Sequence, residues 1–373
     1  MIRFFAQQPT AAKRPPAAAI FVACVAFAGC AGPAAPITIV TYNVQNLFDA
    51  DDDGTEYAQY QSAGGWTADR YYKRLIRLDH VLMGLVTPKP DIIALQEIEG
   101  QRVISDLIRD FLRGGYQVAM SPTSDGAIRV ALLSRFPLRS LRIHRSVAVA
   151  LSPGPTPRPP VYLWRSREMV DTEIDAAGVI RVIVCHWKSQ SGGEQKTEPQ
   201  RIQSAALLRT MLADNGGKLP TLIVGDLNED IEEFRQHGGA YPTALMPVGT
   251  VSSGSAVPDT AERGVAASGA GRSLFVTATP EAAGIRPEGV VLYSPWLASP
   301  IPGSYYHAGR WERLDHVLLL PGSGGELRVS LRVVDDDALV TDDGRPARYD
   351  PRSGYGYSDH LPVVVQVSME EVD

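Results

Sequence analysis

The chain reads as short apolar runs separated by turn-rich gaps. Runs rich in Val, Ile and Leu occupy 37–43, 91–97, 116–120, 129–134, 161–174, 179–187, 220–225, 313–320, 327–334 and 361–367. Most are brief and nearly continuous, the pattern of strands buried on both faces. Three segments carry a helical period instead. Over 68–86, Tyr71, Leu75, Leu78, Leu82 and Leu85 recur at spacings of three and four, behind Thr67 as N-cap. Over 101–113, Val103, Ile104, Leu107, Ile108 and Phe111 line one face. Over 198–213, Thr197 with Gln200 three residues on predicts a capping box. Many strands and few helices predict two packed sheets with helices outside, not a doubly wound parallel sheet. The Pro-rich stretch 152–160 predicts a stiff loop, and 249–272, rich in Gly, Ala and Ser, a mobile one. No repeat and no internal boundary interrupts 37–370, which predicts a single domain there.

The N-terminus departs from this pattern. Residues 1–14 hold Arg3, Lys13 and Arg14 and no acid, and 17–29 form an apolar run too short for a membrane span. The run ends in Phe27-Ala28-Gly29-Cys30, which resembles a bacterial lipobox with Phe where Leu is usual. The expectation is a lipoprotein-type signal peptide over 1–29, a lipidated Cys30 and a tether over 30–36. Simple secretion and a plain membrane anchor are the alternatives. The protein would then be exported and anchored to the bacterial cell envelope, at the outer membrane in a Gram-negative host, facing periplasm or exterior. Removing 1–29 takes three bases and no acid from a net charge of −6, leaving −9. With Cys24 gone and Cys30 lipidated, Cys185 has no disulfide partner and is expected as a buried strand residue. An acidic chain does not hold nucleic acid by bulk charge, so a phosphate substrate needs a local site. The 34 Gly and 28 Pro argue against a helical bundle.

Candidate chemistry gathers where apolar runs end. The first run leads into Asn43, the second into Glu97, and 179–187 into His186. The run at 220–225 leads into Asp226 and Asn228. Asp315 lies in RLDHVLLL, and Asp359-His360 precede the last run. Side chains at strand ends are held rigidly and can converge on one sheet edge. A glutamate with Asp and Asn oxygens suits a hard divalent cation, and a histidine beside carboxylates suits proton removal from water. No G-x-S-x-G elbow, P-loop or zinc-type Cys/His cluster is present. Taken singly each block is weak: Asn43 suits a turn, Glu97 an ordinary acid, His186 a buried histidine. Their order and company carry the weight.

TYNVQNLFD (41–49), DIIALQEIE (91–99), RVALLSRFPL (129–138), VCHWKSQ (184–190), VGDLNED (224–230), RLDHVLL (313–319) and YSDHLPV (357–363) stand in the order typical of the endonuclease/exonuclease/phosphatase superfamily. The resemblance covers about 37–368 and is closest to bacterial secreted nuclease-type members. It implies the DNase I-like α/β (α+β) fold: a four-layer sandwich of two mostly antiparallel mixed sheets flanked by helices. It implies that Glu97, Asn43 and Asp359 hold Mg2+ (or Mn2+ or Ca2+), with Asn43 also on phosphate. His186, Asp226 and Asn228 would serve the phosphate and nucleophile, and Asp315 would orient His360 as general base. Arg167 is a candidate phosphate ligand beside a plain surface reading, and Lys188 and Arg201 are weaker ones. Arg129, Arg167, Lys188 and Arg201 together offer a local basic groove. Trp296, Tyr305, Tyr306 and Trp311 suit either a groove wall or packing, and Trp66, Tyr71 and Tyr72 packing. Asp49–Gly54 copies the start of a calcium loop, but Tyr60 stands where an EF-hand needs Glu, so a solvated acidic loop is expected.

The function expected is a monomeric, divalent-metal-dependent endonuclease or other phosphodiesterase of the cell envelope. A phosphatase or a phospholipid or sphingomyelin phosphodiesterase using the same site is the alternative. A non-catalytic surface lipoprotein is the alternative from another class.

Overall fold

The computed structural model describes residues 36–370 apart from 123–125, 151–160, 177, 250–273, 288 and 323–325. The expected signal peptide, lipidated Cys30 and nearly all of the tether lie outside the described residues, as do the loops at 152–160 and, beyond Gly249, at 249–272. In chain order the first strands are β1 (Ile37–Leu47), β2 (Ile92–Ile98), β3 (Gln117–Met120), β4 (Arg129–Ser134), β5 (Leu138–His144), β6 (Val147–Ala150), β7 (Val161–Arg165), β8 (Met169–Asp175), β9 (Val179–His186) and β10 (Thr221–Asp226). Then come β11 (Leu245–Pro247), β12 (Leu274–Thr277), β13 (Gly284–Arg286), β14 (Gly289–Tyr293), β15 (Tyr305–His307), β16 (Arg310–Glu312), β17 (Asp315–Leu320), β18 (Glu326–Val333) and β19 (Val363–Glu370). The helices are α1 (Ala68–Asp79), α2 (Gln101–Asp106), α3 (Glu194–Asp214) and α4 (Glu233–Gln236).

One sheet runs β18-β19-β1-β2-β4-β3, the other β11-β12-β14-β17-β10-β9-β8-β5 with β13 on β14. Pairing is antiparallel except for β1–β2, β9–β10, β11–β12 and β12–β14. Residue parity then builds the layers. Ile37, Ile39, Ile92, Ala94, Val130 and Leu132 of the first sheet meet Val182, Val184, Leu222, Val224, Val317 and Leu319 of the second. The residues between them, such as Val40, Tyr42, Ile93, Leu95, Ile183 and Ile223, turn to the outer faces and join the apolar sides of the helices. There α1 packs on β1, and α3 on β12 and β14. Strands sandwiched this way must be apolar at every position, which is why they read as continuous runs. Each fully buried Ile or Leu contributes about 1.5–3 kcal/mol. The result is the mixed α/β sandwich that the sequence predicts.

Three local expectations change. The run 161–174 breaks into β7 and β8 around Ser166–Glu168, and the break carries Arg167. Helix α3 starts at Glu194 behind Gly193 and has no capping box. Thr197 lies inside it, its hydroxyl donating to Gly193 O at 3.0 Å. Strands β5, β6 and β11 to β16 go unseen in the sequence, because β5 mixes charged and apolar residues and the others span three to five.

Candidate active site

The alternation that fills the inter-sheet core also aims the site. Ile37 and Ile39 continue through Thr41 to Asn43. Val182 and Val184 lead to His186, Leu222 and Val224 to Asp226, and Leu319 and Val317 back to Asp315. All four polar residues are buried on the face of their strand that packs between the sheets. Register brings them level, since Asp226 pairs with Asp315 on one side and His186 on the other. Glu97 has the wrong parity for this face. A register shift against β4 between Gln96 and Ile98, with Glu97 at φ 65°, re-aims its carboxylate to the same edge.

The side chains form a contiguous set. His360 Nδ1–H donates to Asp315 Oδ2 at 2.7 Å, since a carboxylate there can only accept, and Ser304 Oγ–H donates to the same oxygen at 2.6 Å. His360 Nε2 therefore faces inward, 3.8 Å from Asp226 Oδ2. Asn43 Nδ2–H donates to Asp226 Oδ2 at 2.9 Å and to Glu97 Oε1 at 3.2 Å. Asn43 Oδ1 accepts from Gln45 N–H at 3.0 Å. Gln45 and Asn46 adopt positive φ, which swings Asn46 N–H onto Glu97 Oε2 at 2.9 Å. Asn228, also at positive φ, donates its N–H to Asp226 Oδ1 at 2.8 Å and its amide to Trp187 O at 3.3 Å. Arg167 Nη1 donates to the same Trp187 carbonyl at 2.8 Å and to His186 Nε2.

Burial alone would hold the His360 imidazole neutral, but the Asp315 and Asp226 carboxylates outweigh it and raise its pKa above the usual value. Burial, with Asp315 alongside, pushes Asp226 up to about 7 against the pull of His360 and Asn43. The two carboxylates thus stabilise the imidazolium that forms when Nε2 takes up a proton. His186 is driven the other way, well below its usual value, by burial and by the positive charges of Arg167 and His360. It is neutral at pH 7, and Nε2 accepts from Arg167, so Nδ1 carries the proton.

Asn43, Glu97, Arg167, His186, Asp226, Asn228, Asp315 and His360 lie together in this set, while other expected residues differ in place or detail. Asn43 is expected to offer an oxygen to metal, yet here its nitrogen bridges the Glu97 and Asp226 carboxylates. Asp359 stands at the rim, its Oδ2 3.8 Å from Arg348 Nε. Arg201 lies away from any groove, fully buried on Glu229 at 2.7 Å and on Glu198. Trp296 is core, its indole N–H on Asp315 O at 2.8 Å. The sequence does not single out Ser304, which sits in a loop without periodicity. Tyr305, seen only as a possible groove wall, packs its ring 4.6 Å from that of His360. Beside it lies a cavity of about 380 Å³ lined by Tyr305, Tyr306, His307, Arg345, Arg348 and Asp359, among others.

The set suits a hard divalent cation. Glu97 is raised above the usual carboxylate range by burial and then by the Asp359 charge. Glu97, with the Asp359 carboxylate near enough to oppose its ionisation, offers oxygen donors of the kind a Mg2+-type ion takes.

A two-sheet sandwich carrying carboxylates, histidines and an arginine at one edge defines a phosphoester hydrolase. The endonuclease/exonuclease/phosphatase family profile matches residues 38–237, more than half of the chain, and the protein belongs to that family, whose enzymes depend on divalent metal. The humanized D. rerio TDP2 is 11% identical, with a TM-score of 0.50 over 89% of this chain and 98% of that one. An endonuclease/exonuclease/phosphatase family protein from Bacteroides thetaiotaomicron is 15% identical, with a TM-score of 0.49 over 91% and 99%. The human Nocturnin catalytic domain, solved with bound sulfate, is 16% identical, with a TM-score of 0.43 over 90% and 95%. At 11% identity the likeness to TDP2 is one of fold alone. No curated protein matches the sequence significantly.

Proposed function

We propose that the protein is an envelope-anchored endonuclease or phosphodiesterase that cleaves nucleic acid by in-line attack of water. The observation that carries this is the unbroken line Asp315–His360–Asp226–Asn43–Glu97. This line supports reading a base, its orienting acid and a cation donor at one edge. His360 Nε2 takes a proton from water. Asp315 fixes the imidazole through Nδ1–H, and the proton comes to rest between the Asp315 and Asp226 carboxylates. Asp226, held by Asn43 and the Asn228 N–H, aligns the water. Arg167 and Asn228, both anchored on the Trp187 carbonyl beside His186, hold phosphate oxygens. Glu97 and Asp359 would hold a divalent cation, with Asn43 fixing Glu97, and that ion would supply charge neutralisation at the phosphoryl oxygens and leaving group.

Nucleic acid is favoured over a lipid headgroup by the cavity beside His360, where the Tyr305 and Tyr306 rings and the Arg345 and Arg348 guanidiniums suit a base and its neighbouring phosphate. The purified chain should nick plasmid DNA or cut RNA in Mg2+ and stop with EDTA. Turnover of sphingomyelin or a simple phosphomonoester in place of either polynucleotide would overturn the substrate reading.

The 1–29 signal, a 37–370 catalytic domain acting as a monomer, and lipid attachment at Cys30 belong to the same proposal. They rest on the apolar run and the Ala28-Gly29-Cys30 sequence. Mass spectrometry of the exported protein should find an N-terminus at lipidated Cys30. A mature chain retaining Ala28 and Gly29 would refute the anchor.

A further inference from the structure

The geometry points to a second divalent-cation site, of calcium type, held by Asp53, Glu56 and Glu99 and separate from the Glu97 edge. One carboxylate oxygen from each of these three residues lies within 4.8 Å of the other two. That is about the span across a Ca2+ whose ligands stand 2.3–2.6 Å away. Glu99 supplies the independent sign of a ligand. It is 94% buried, its Oε2 accepts from Asp49 N–H at 2.6 Å, and its Oε1 is buried with no hydrogen-bond partner. A buried carboxylate oxygen left unpaired costs free energy that a cation recovers. Arg129 is near enough to be felt by Glu99 and Asp53, one guanidinium beside three acids.

The loop itself is prepared for this. Glu56, also buried, accepts from Asp53 N–H at 2.7 Å and Gly54 N–H at 2.9 Å, which folds the acidic run back on itself. Each Glu56 oxygen accepts one of these bonds and keeps a lone pair for a cation, while Asp53 Oδ1 is taken by the Thr55 N–H and hydroxyl and leaves Oδ2 for it. The chain thus does without the glutamate missing at Tyr60: the far side of the site comes from Glu99, just past the end of β2, instead of from the loop. Trp66 lies one residue away, its indole N–H on the carbonyl of Asp49, whose own N–H binds Glu99.

Terbium takes calcium's oxygen sites and emits when an excited tryptophan is close, so Trp66 reports on occupancy. The EDTA-stripped full chain is titrated with Tb3+, then with Ca2+ as competitor, beside Asp53→Asn, Glu99→Gln and Glu97→Gln. The expected result is calcium-displaceable emission in the wild type and in Glu97→Gln. Its affinity should fall in Asp53→Asn and Glu99→Gln by more than the roughly 10- to 100-fold that losing an outer-shell partner costs. Calcium should raise the Tm of the wild type and Glu97→Gln but not of the other two. Asp53 is exposed, so its variant decides the matter should Glu99→Gln fail to fold. The site is refuted by emission that is absent, that survives both loop variants, or that disappears with Glu97→Gln alone; this last outcome would place the ion at the hydrolytic edge.

Discussion

At the scale of single residues, His360 depends on what surrounds its two nitrogens. Asp315 Oδ2 serves both the imidazole and Ser304, while Asp315 Oδ1 is buried without a partner. His360→Ala should lower kcat by about 10²–10⁴, the worth of a positioned general base. Asp315→Asn should lower kcat too, because an amide can present its N–H to Nδ1 and turn the tautomer over. Turnover kinetics on nicked plasmid, with a Tm to show that each variant folds, check both, and a fully active His360→Ala would discard the base assignment. The acids and histidines were legible in the sequence because strand parity prints them at the ends of apolar runs. The direction of the Asn43 amide was not. It is set by Gln45 N–H, and thus by a positive φ at a residue where nothing in the sequence asks for one.

At the scale of elements, the site depends on β9 and β10 running close together. Gly225 sits opposite Cys185 at φ 132°, and a Cβ there would lie 2.0 Å from the Cys185 carbonyl oxygen. Gly225→Ala must push the strands apart one residue before both His186 and Asp226. A loss of about 3 kcal/mol is expected from overpacking and backbone strain, with activity falling further than stability. Urea unfolding and kcat measured together test this, and a variant within about 0.5 kcal/mol of wild type would contradict it. On the outer side of the same sheet, Arg181 makes two bonds of 2.8 Å to the buried Asp171. Burial opposes ionisation, but Arg181 and Arg142 win and bring Asp171 down to about 2. A depressed carboxylate contributes stability above its unfolded pKa near 3.8, and the contribution is lost as pH falls through the folded value. About 2 kcal/mol should therefore disappear between pH 4 and 2. Asp171→Asn should be less stable at pH 7 by about 3 kcal/mol and lack this acid step. Central strands were legible because burial on both faces makes them uniformly apolar. β5 was not, because it mixes Arg139, Ser140 and Arg142 with apolar residues across a register shift, and β6 and β11 to β16 were too short to show a period.

At the scale of the molecule, charge decides how the proposed nucleic-acid substrate would be gripped. The sequence offers Arg129, Arg167, Lys188 and Arg201 as a basic groove, but position divides them. Arg201 is fully buried among glutamates, and Arg129 is buried facing Glu99. That leaves Arg167 and Lys188 on one side of the site, with Arg345 and Arg348 across the cavity, on a chain of net charge −6. Partly exposed guanidiniums on an acidic body neutralise few phosphates, on the order of three. Each released counterion contributes about −0.7 to −0.9 to the slope of log affinity against log salt, so the slope should be about −2 to −3. Raising salt from roughly 50 to 200 mM should then weaken oligonucleotide binding roughly 15- to 60-fold. Fluorescence anisotropy with the catalytically silenced His360→Ala chain measures this directly, and Arg348→Ala should reduce the slope by about one. A loss of a thousandfold over that range would require a broad cationic surface that the described residues do not supply. The enzyme would then hold its substrate along an extended track, instead of by a few contacts around the scissile phosphate.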